Sequence, residues 1–478
     1  MNDPTLLSYL RKLAEKAPEK RLVGGESGWL SAAEVLRIVE GLGRRLISLG
    51  LRPGDEAALR TDRCPETALL ILGLRAAGVP AVLCSPRQEI DETLADCEAD
   101  IRPRAKLQRR EGGSFSVKID GRESVLSLGD DAPGVPLPAC SALEPSFVIF
   151  TSGSTGRSKA VVISEDSLIA CLLDSDPIGY YSRDDIALGA LPLDHIFGLV
   201  LLAGVAVLEY GLYFPAGTDI PGFLRCIEQQ RITRMNGVPS LYLAMAEHSA
   251  GFDLRSLRAG FIGGGPVTPE QFARIERDLG LTLISVYGMS ESVGISCASY
   301  LDPQAERASG VGPVYPMNSI LLLGPDGREV EPGQEGEICV RGRMRMLGYY
   351  GQPLPAEDYF PTGDLGRLDE KGVLHLSGRK KEIIIRNGNN LSPRRIEDAL
   401  LSLPGVRAAA VVGLPDERQG ETPWAMVVGR ADEAALHALL HKNEWPEGIL
   451  TAEALPMTAS GKPDKQKIRE VLLAWRNG

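Results

Sequence analysis

The chain has 478 residues, 44% hydrophobic and 24% charged, with net charge −11 and pI about 5.2. It is too long for one ordinary domain, so two or three are expected, and its composition is that of a soluble globular protein. The acidic balance argues against nucleic-acid binding, which needs a basic face. The eight cysteines form no Cys-x-x-Cys pair, so neither a zinc site nor a disulfide framework is indicated, and reduced thiols of a cytoplasmic protein are expected. Residues 1–20 form an amphipathic helical pattern without the apolar core of a signal peptide. No apolar run reaches membrane-spanning length, so no membrane insertion is expected.

In chain order, residues 30–49 show helical spacing that stops at Gly50. Arg52-Pro53-Gly54-Asp55 is a turn, residues 56–59 a short strand, 66–77 a helix and 79–84 a buried strand. That alternation predicts a mostly parallel sheet. Residues 87–145 carry little signal beyond basic residues at 102–110 and prolines at 131–138, and read as a reduced sub-domain followed by a loop. From residue 186 to 330 the alternation resumes, with helices at 220–230 and 269–279 and strands at 235–238 and 283–286. Short strands and turns follow between 336 and 376. After the break at Gly378-Arg379-Lys380-Lys381-Glu382, helices at 393–403 and 432–440 and strands at 408–412 and 425–428 make a small unit. The expected fold class is α/β: a large N-terminal domain (1–379) of parallel-rich α/β sub-domains plus a β-rich sub-domain, and a small α+β C-terminal domain (380–478).

Six segments suit phosphate, nucleotide or substrate chemistry. In Thr151-Ser152-Gly153-Ser154-Thr155-Gly156, followed by Lys159, glycines let the backbone approach a phosphate chain. The hydroxyls donate and the lysine adds a charge. It is not the common P-loop, which needs Gly-Lys-Ser/Thr opening a helix; the apolar runs on both sides predict strand–loop–strand. Leu191-Pro192-Leu193-Asp194-His195-Ile196-Phe197-Gly198 carries one of the chain's five histidines. Gly263-Gly264-Gly265-Pro266 and Tyr287-Gly288-Met289-Ser290-Glu291 each follow a strand, where ligand sites form in parallel sheets. Thr362-Gly363-Asp364 presents a carboxylate suited to accept two ribose hydroxyls, and Pro456-Met457-Thr458-Ala459-Ser460-Gly461-Lys462 presents a lysine near the C-terminus.

In this order the segments resemble the signatures of the adenylate-forming superfamily, which includes acyl- and aryl-CoA synthetases, peptide-synthetase adenylation domains and beetle luciferases. The resemblance runs from Gly50 to Lys467. It implies ATP and Mg²⁺ as cofactors. Thr151 to Gly156 and Lys159 would then hold phosphates, Tyr287 would stack on adenine beside Gly288, and Ser290 would bond phosphate. Glu291 would hold Mg²⁺, Asp364 would take the ribose with help from Arg379, and Lys462 would act at the α-phosphate. Lys381 would be the hinge of a mobile C-terminal domain. Ser158 and Ala160 stand where the family usually has proline and glycine, Ser290 where it has threonine, and Ile385 where coumarate-type ligases have lysine.

The activity implied is activation of a carboxylic acid to acyl-AMP, then thioester formation with coenzyme A. Alternatives are transfer to the phosphopantetheine of an acyl carrier protein, or a catalytically silent binding relative. The acid pocket would lie among His195, Phe197, Val238, Gly263, Gly264, Gly265, Met289 and Val293. None of these is a carboxylate or fixed cation, and three consecutive glycines leave room beside the backbone. An uncharged acid is expected, an aryl carboxylate ahead of a medium-chain fatty acid. Amino-acid-activating members of the family usually carry an aspartate after an aromatic here; no Phe-Asp pair occurs at 191–198, so the resemblance disfavours an α-amino acid. A monomer or homodimer is expected.

Overall fold

The computed structural model describes residues 4–152, 157–176, 181–355, 358–458 and 463–477, with only the backbone described for Ser152. Two large sheets organise the first 300 residues. One runs, edge to edge, through Gln352–Pro353, Gly348–Tyr349, Ser158–Ser164, Pro145–Ser152, Ala81–Cys84, Ala57–Arg60, Ala105–Arg109, Phe115–Ile119 and Arg122–Leu126. The other runs through Ser292–Cys297, Thr282–Met289, Ala259–Ile262, Arg234–Gly237, Ile186–Leu188, Gly211–Tyr213, Arg21–Gly25 and Gly28–Ser31. Both are parallel at their centres: Ala57 pairs with Ala81 in one, Asn236 with Phe261 and Phe261 with Ile284 in the other.

The main core lies between these sheets. It joins Leu59, Leu83 and Phe147 from one to Val23, Leu212 and Phe261 from the other, with helices Leu6–Lys16, Ala32–Ser48, Pro65–Ala76 and Ile196–Val207 packed into it. Helix Ile196–Val207 is apolar all round, as a helix enclosed on every side must be. A second core under helices Ile220–Gln230, Pro239–His248 and Pro269–Leu279 backs the other face of the second sheet. Helix Pro269–Leu279 has clear local causes. Thr268 and Gln271 form a capping box, and Gly280 ends the helix in the left-handed region at φ +69°.

Four strands between residues 318 and 379 form an antiparallel sheet in the order Asn318–Leu323, Gly336–Gly342, Phe360–Leu368, Leu374–Arg379. The last unit packs Pro393–Leu401 and Lys465–Asn477 against a sheet built on Val406–Asp416 and Gly420–Gly429. Helix Pro393–Leu401 also touches Leu374–Arg379, where the Ser392 hydroxyl donates to the Ser377 carbonyl at 2.7 Å.

One region departs from the sequence reading. Residues 105–126 are a three-stranded antiparallel meander that extends the first sheet. Phe115, Val117 and Ile119 point inward, while Ser116 and Lys118 point out. Four of the five basic residues at 102–110 are matched by carboxylates: Arg102 with Asp100, Arg104 with Asp55 and Asp120, Lys106 with Asp91, and Arg109 with Glu66.

Candidate active site

Strands Pro145–Ser152 and Ser158–Ser164 are antiparallel neighbours, with Thr151 opposite Lys159. The residues between them, Gly153, Ser154, Thr155 and Gly156, lie outside the described residues. Lys159 extends over the ring of Tyr349, its Nζ 4.8 Å from the centroid.

A hydrogen-bonded group forms where the antiparallel sheet meets the second large sheet. Tyr287 Oη donates to Asp364 Oδ2 at 2.8 Å, and Arg379 Nε pairs with Asp364 Oδ1 at 3.0 Å. Strand register explains the pair, since Asp364 and Arg379 are direct partners on Phe360–Leu368 and Leu374–Arg379. Thr362 braces the turn: its hydroxyl donates to the Ile338 carbonyl and accepts from the Asp364 backbone N–H. Burial first, and the Asp364 carboxylate second, push the Tyr287 phenol far above its ordinary range, so it stays a donor.

Four residues beyond Tyr287, Glu291 sits in the turn between Thr282–Met289 and Ser292–Cys297. The turn is tight: a Cβ on Gly288 would lie 2.6 Å from the Val293 carbonyl oxygen, so the position needs glycine. Met289 and Ser290 are half-buried and Glu291 is buried. Glu291 Oε1 accepts from Tyr349 Oη at 3.0 Å, and its carbonyl accepts from Met346 N–H at 2.9 Å. No hydrogen bond reaches Oε2 among the described residues. Nor is there among them a cluster of three or more His, Cys, Asp or Glu side chains fit for a metal. A Mg²⁺ ion here would be held by Glu291 together with phosphate and water oxygens, which suits an octahedral cation that keeps much of its hydration.

Most of the residues named for the acid pocket follow the C-terminal ends of parallel strands, whereas Val293 lies on the antiparallel strand Ser292–Cys297. His195 directly precedes helix Ile196–Val207, Val238 directly precedes Pro239–His248, and Gly263 follows Ala259–Ile262. His195, Phe197 and Val238 are half-buried. The three glycines are not equivalent. A Cβ on Gly263 would lie 2.8 Å from Val286 Cγ2, so that glycine serves strand packing. Gly264 takes φ +77°. Gly265 leaves ordinary clearance, 3.5 Å from a Cβ to Pro239. Val293 is buried in the main core, its N–H bonded to the Met344 carbonyl.

Lys381 lies exposed in the 3₁₀ turn Lys380–Glu382, directly after Arg379. Lys462 lies outside the described residues. Lys465, three residues on, is tied into the C-terminal unit by Glu397 and the Val411 carbonyl. The sequence reading missed Tyr349, the residue that contacts both Glu291 and Lys159. Its signal was Gly348-Tyr349-Tyr350 just after the strand-rich 336–342 segment, a short motif that carries no chemistry of its own.

Residues 10–350 match the family described as AMP-binding enzyme, and residues 395–462 match the AMP-binding enzyme C-terminal domain. The chain is 31% identical to a feruloyl-CoA synthase of Amycolatopsis sp, covering 98% of this chain and 99% of the relative. It is also 31% identical to a sulfoacetate–CoA ligase of Cupriavidus necator, covering 97% of each. ATP-bound MatB from Rhodopseudomonas palustris shares the fold at a TM-score of 0.83 and 25% identity, over 98% of this chain and 99% of that one. No helix among the described residues is long and apolar enough to cross a membrane. With a family match over most of its length and relatives alike from end to end, the chain belongs to the AMP-binding enzymes, the adenylate-forming ligases that its ordered motifs resemble.

Proposed function

We propose that the chain is an AMP-forming acid–CoA ligase acting on an uncharged organic acid, an aryl carboxylate ahead of a medium-chain fatty acid. The observation that carries the reading is that two groups of side chains share one hairpin. Tyr287 reaches Asp364 and Arg379, and Glu291, four residues on, reaches Tyr349 and through it Lys159. A carboxylate with a phenol beside it suits a nucleoside. A lysine and a carboxylate with one oxygen that no described residue engages suit a polyphosphate and its metal.

In this reading Asp364 accepts the ribose hydroxyls, Tyr287 offers its ring to adenine, and Lys159, Ser290 and the 151–156 loop hold the phosphates. The acid's carboxylate oxygen attacks the α-phosphorus, pyrophosphate leaves and acyl-AMP forms. The residues contribute alignment and charge neutralisation, with no covalent enzyme intermediate. Mg²⁺, when bound, neutralises charge on the phosphates. Lys462 meets charge that builds at the α-phosphate. The C-terminal domain (380–478) then turns on Lys381 against the N-terminal domain (1–379), and the thiol of coenzyme A attacks the acyl carbon to release AMP.

The aryl preference rests on a pocket without a partner for a charged substituent. Likeness to a feruloyl-CoA synthase supports it, whereas equal likeness to a sulfoacetate–CoA ligase argues for testing charged acids too. The test is incubation with ATP, Mg²⁺, coenzyme A and benzoates, cinnamates, C4–C12 fatty acids, dicarboxylates, sulfonates and amino acids at equal concentration. AMP and acyl-CoA are read by mass. Equimolar AMP and aryl-CoA are expected. Preference for an amino acid, a dicarboxylate or a sulfonate would overturn the pocket reading, and ADP as product would overturn the reaction class.

A further inference from the structure

Tyr349 belongs to none of the segments that mark the nucleotide site, yet it contacts the side chains of two of them. Its hydroxyl donates to Glu291 Oε1 at 3.0 Å, and its ring carries the Lys159 ammonium 4.8 Å from the centroid. The backbone fixes it there. Met346 N–H bonds the Glu291 carbonyl, while Leu347 N–H and Tyr350 N–H bond the Val162 and Ala160 carbonyls of the strand that carries Lys159. Residues 346–350 therefore stitch the turn with Glu291 to the strand with Lys159. Gly348 makes the path possible: it takes φ +144°, and a Cβ there would lie 2.3 Å from the Gln352 carbonyl oxygen. The ring of Phe360 closes edge-on against Tyr349 at 6.5 Å.

An ammonium and a carboxylate in one half-buried pocket attract strongly. In direct contact each would spend its charge on the other. Here no carboxylate lies within 4 Å of Lys159 among the described residues, and the phenol engages both charges at once. We propose that Tyr349 is a positioning residue for the nucleotide–metal complex, holding Glu291 through its hydroxyl and Lys159 through its ring so that the two do not pair and both remain aimed at phosphate and metal. This rests on the roles proposed for Glu291 and Lys159.

Four variants test it: Tyr349→Phe, Tyr349→Leu, Glu291→Gln, and the control Tyr350→Phe. The control loses a similar hydroxyl–carboxylate bond, 2.7 Å to Glu56, outside the site. ATP affinity is measured by calorimetry on the full chain, in EDTA and across a Mg²⁺ titration, with melting curves beside it. Tyr349→Phe keeps the ring, so affinity in EDTA should match wild type. The Mg²⁺ needed for half the affinity gain should rise roughly tenfold, the low end for losing a hydrogen bond to a charged group. Tyr349→Leu should in addition weaken binding in EDTA about two- to fivefold, as Lys159 loses its aromatic seat. Pyrophosphate exchange should show the same Mg²⁺ shift with the KM for the acid unchanged. If Glu291→Gln shifts the Mg²⁺ titration while Tyr349→Phe behaves like Tyr350→Phe, the inference is overturned and the parent reading stands. If Glu291→Gln itself shifts nothing, the metal role of Glu291 fails and takes this inference with it.

Discussion

Replacing Asp364 by alanine should weaken ATP binding far more than acid binding. Asp364 is buried, with its side chain 11% exposed, and each carboxylate oxygen already has one donor, Tyr287 Oη at 2.8 Å and Arg379 Nε at 3.0 Å. Two ribose hydroxyls would add donors to a charged acceptor, worth about 1.5–3 kcal/mol. At 1.4 kcal/mol per factor of ten, the KM for ATP should rise roughly 10- to 100-fold. The same change strands the buried Tyr287 hydroxyl, at about 1–3 kcal/mol of folding stability. Loss of the pair with Arg379 adds little, because that guanidinium is 55% exposed and screened by water. Asp364→Asn keeps the volume and one acceptor, and should fall between wild type and alanine on both scales. The assay is pyrophosphate exchange against ATP at saturating acid, with the KM for the acid and a melting curve measured alongside. A folded Asp364→Ala chain with unchanged KM for ATP would refute the ribose role.

Lys462→Ala should cost on the order of 10² or more in acyl-AMP formation, read by pyrophosphate exchange, because charge builds at the α-phosphate during that step. It should leave thioester formation from supplied acyl-AMP near normal, and near-normal exchange would contradict the assignment. Lys381→Pro should retain adenylation but impair thioester transfer, since proline fixes φ near −65° at the one position asked to rotate. Equal loss of both half-reactions in a folded variant would remove Lys381 from the hinge. The thiols offer a pH prediction. Burial pushes Cys64 up to about 11 and Cys84, Cys171, Cys226 and Cys297 up to about 12, so at pH 8 the thiolate fraction of each is ~10⁻³ or less. Iodoacetamide at pH 8 should spare these five in the native chain, as peptide mapping would show. Labelling should rise only as the pH approaches those values or as the chain unfolds, and rapid native labelling of Cys84 would contradict the burial.

The α/β architecture was legible because its signals are local. Helix Pro269–Leu279 announces itself through Thr268, Gln271 and Gly280, and Ile220–Gln230 through Asp219 and Pro221. The 105–126 meander was harder to read. Its alternation lasts only from Phe115 to Ile119, and the charges around it look like a solvated loop until their partners are known. Motif residues could be named because hydroxyls, glycines and carboxylates at fixed spacing restrict the chemistry. What they touch could not. That Tyr287 bonds Asp364 depends on two strands 77 positions apart, and that Tyr349 joins Glu291 to Lys159 depends on residues 346–350 lying between two other elements. The triple glycine was legible only in part. Sequence shows a missing side chain, but only packing shows that Gly263 is small for the sake of Val286.

The central claim, that this chain adenylates a carboxylic acid, is tested most directly by ATP–pyrophosphate exchange without coenzyme A across the acid panel. The account predicts exchange that depends on the acid, is strongest with an uncharged aryl acid, needs Mg²⁺ and falls on the order of 10² or more in Lys462→Ala. No acid-dependent exchange from a folded chain that binds ATP would contradict it.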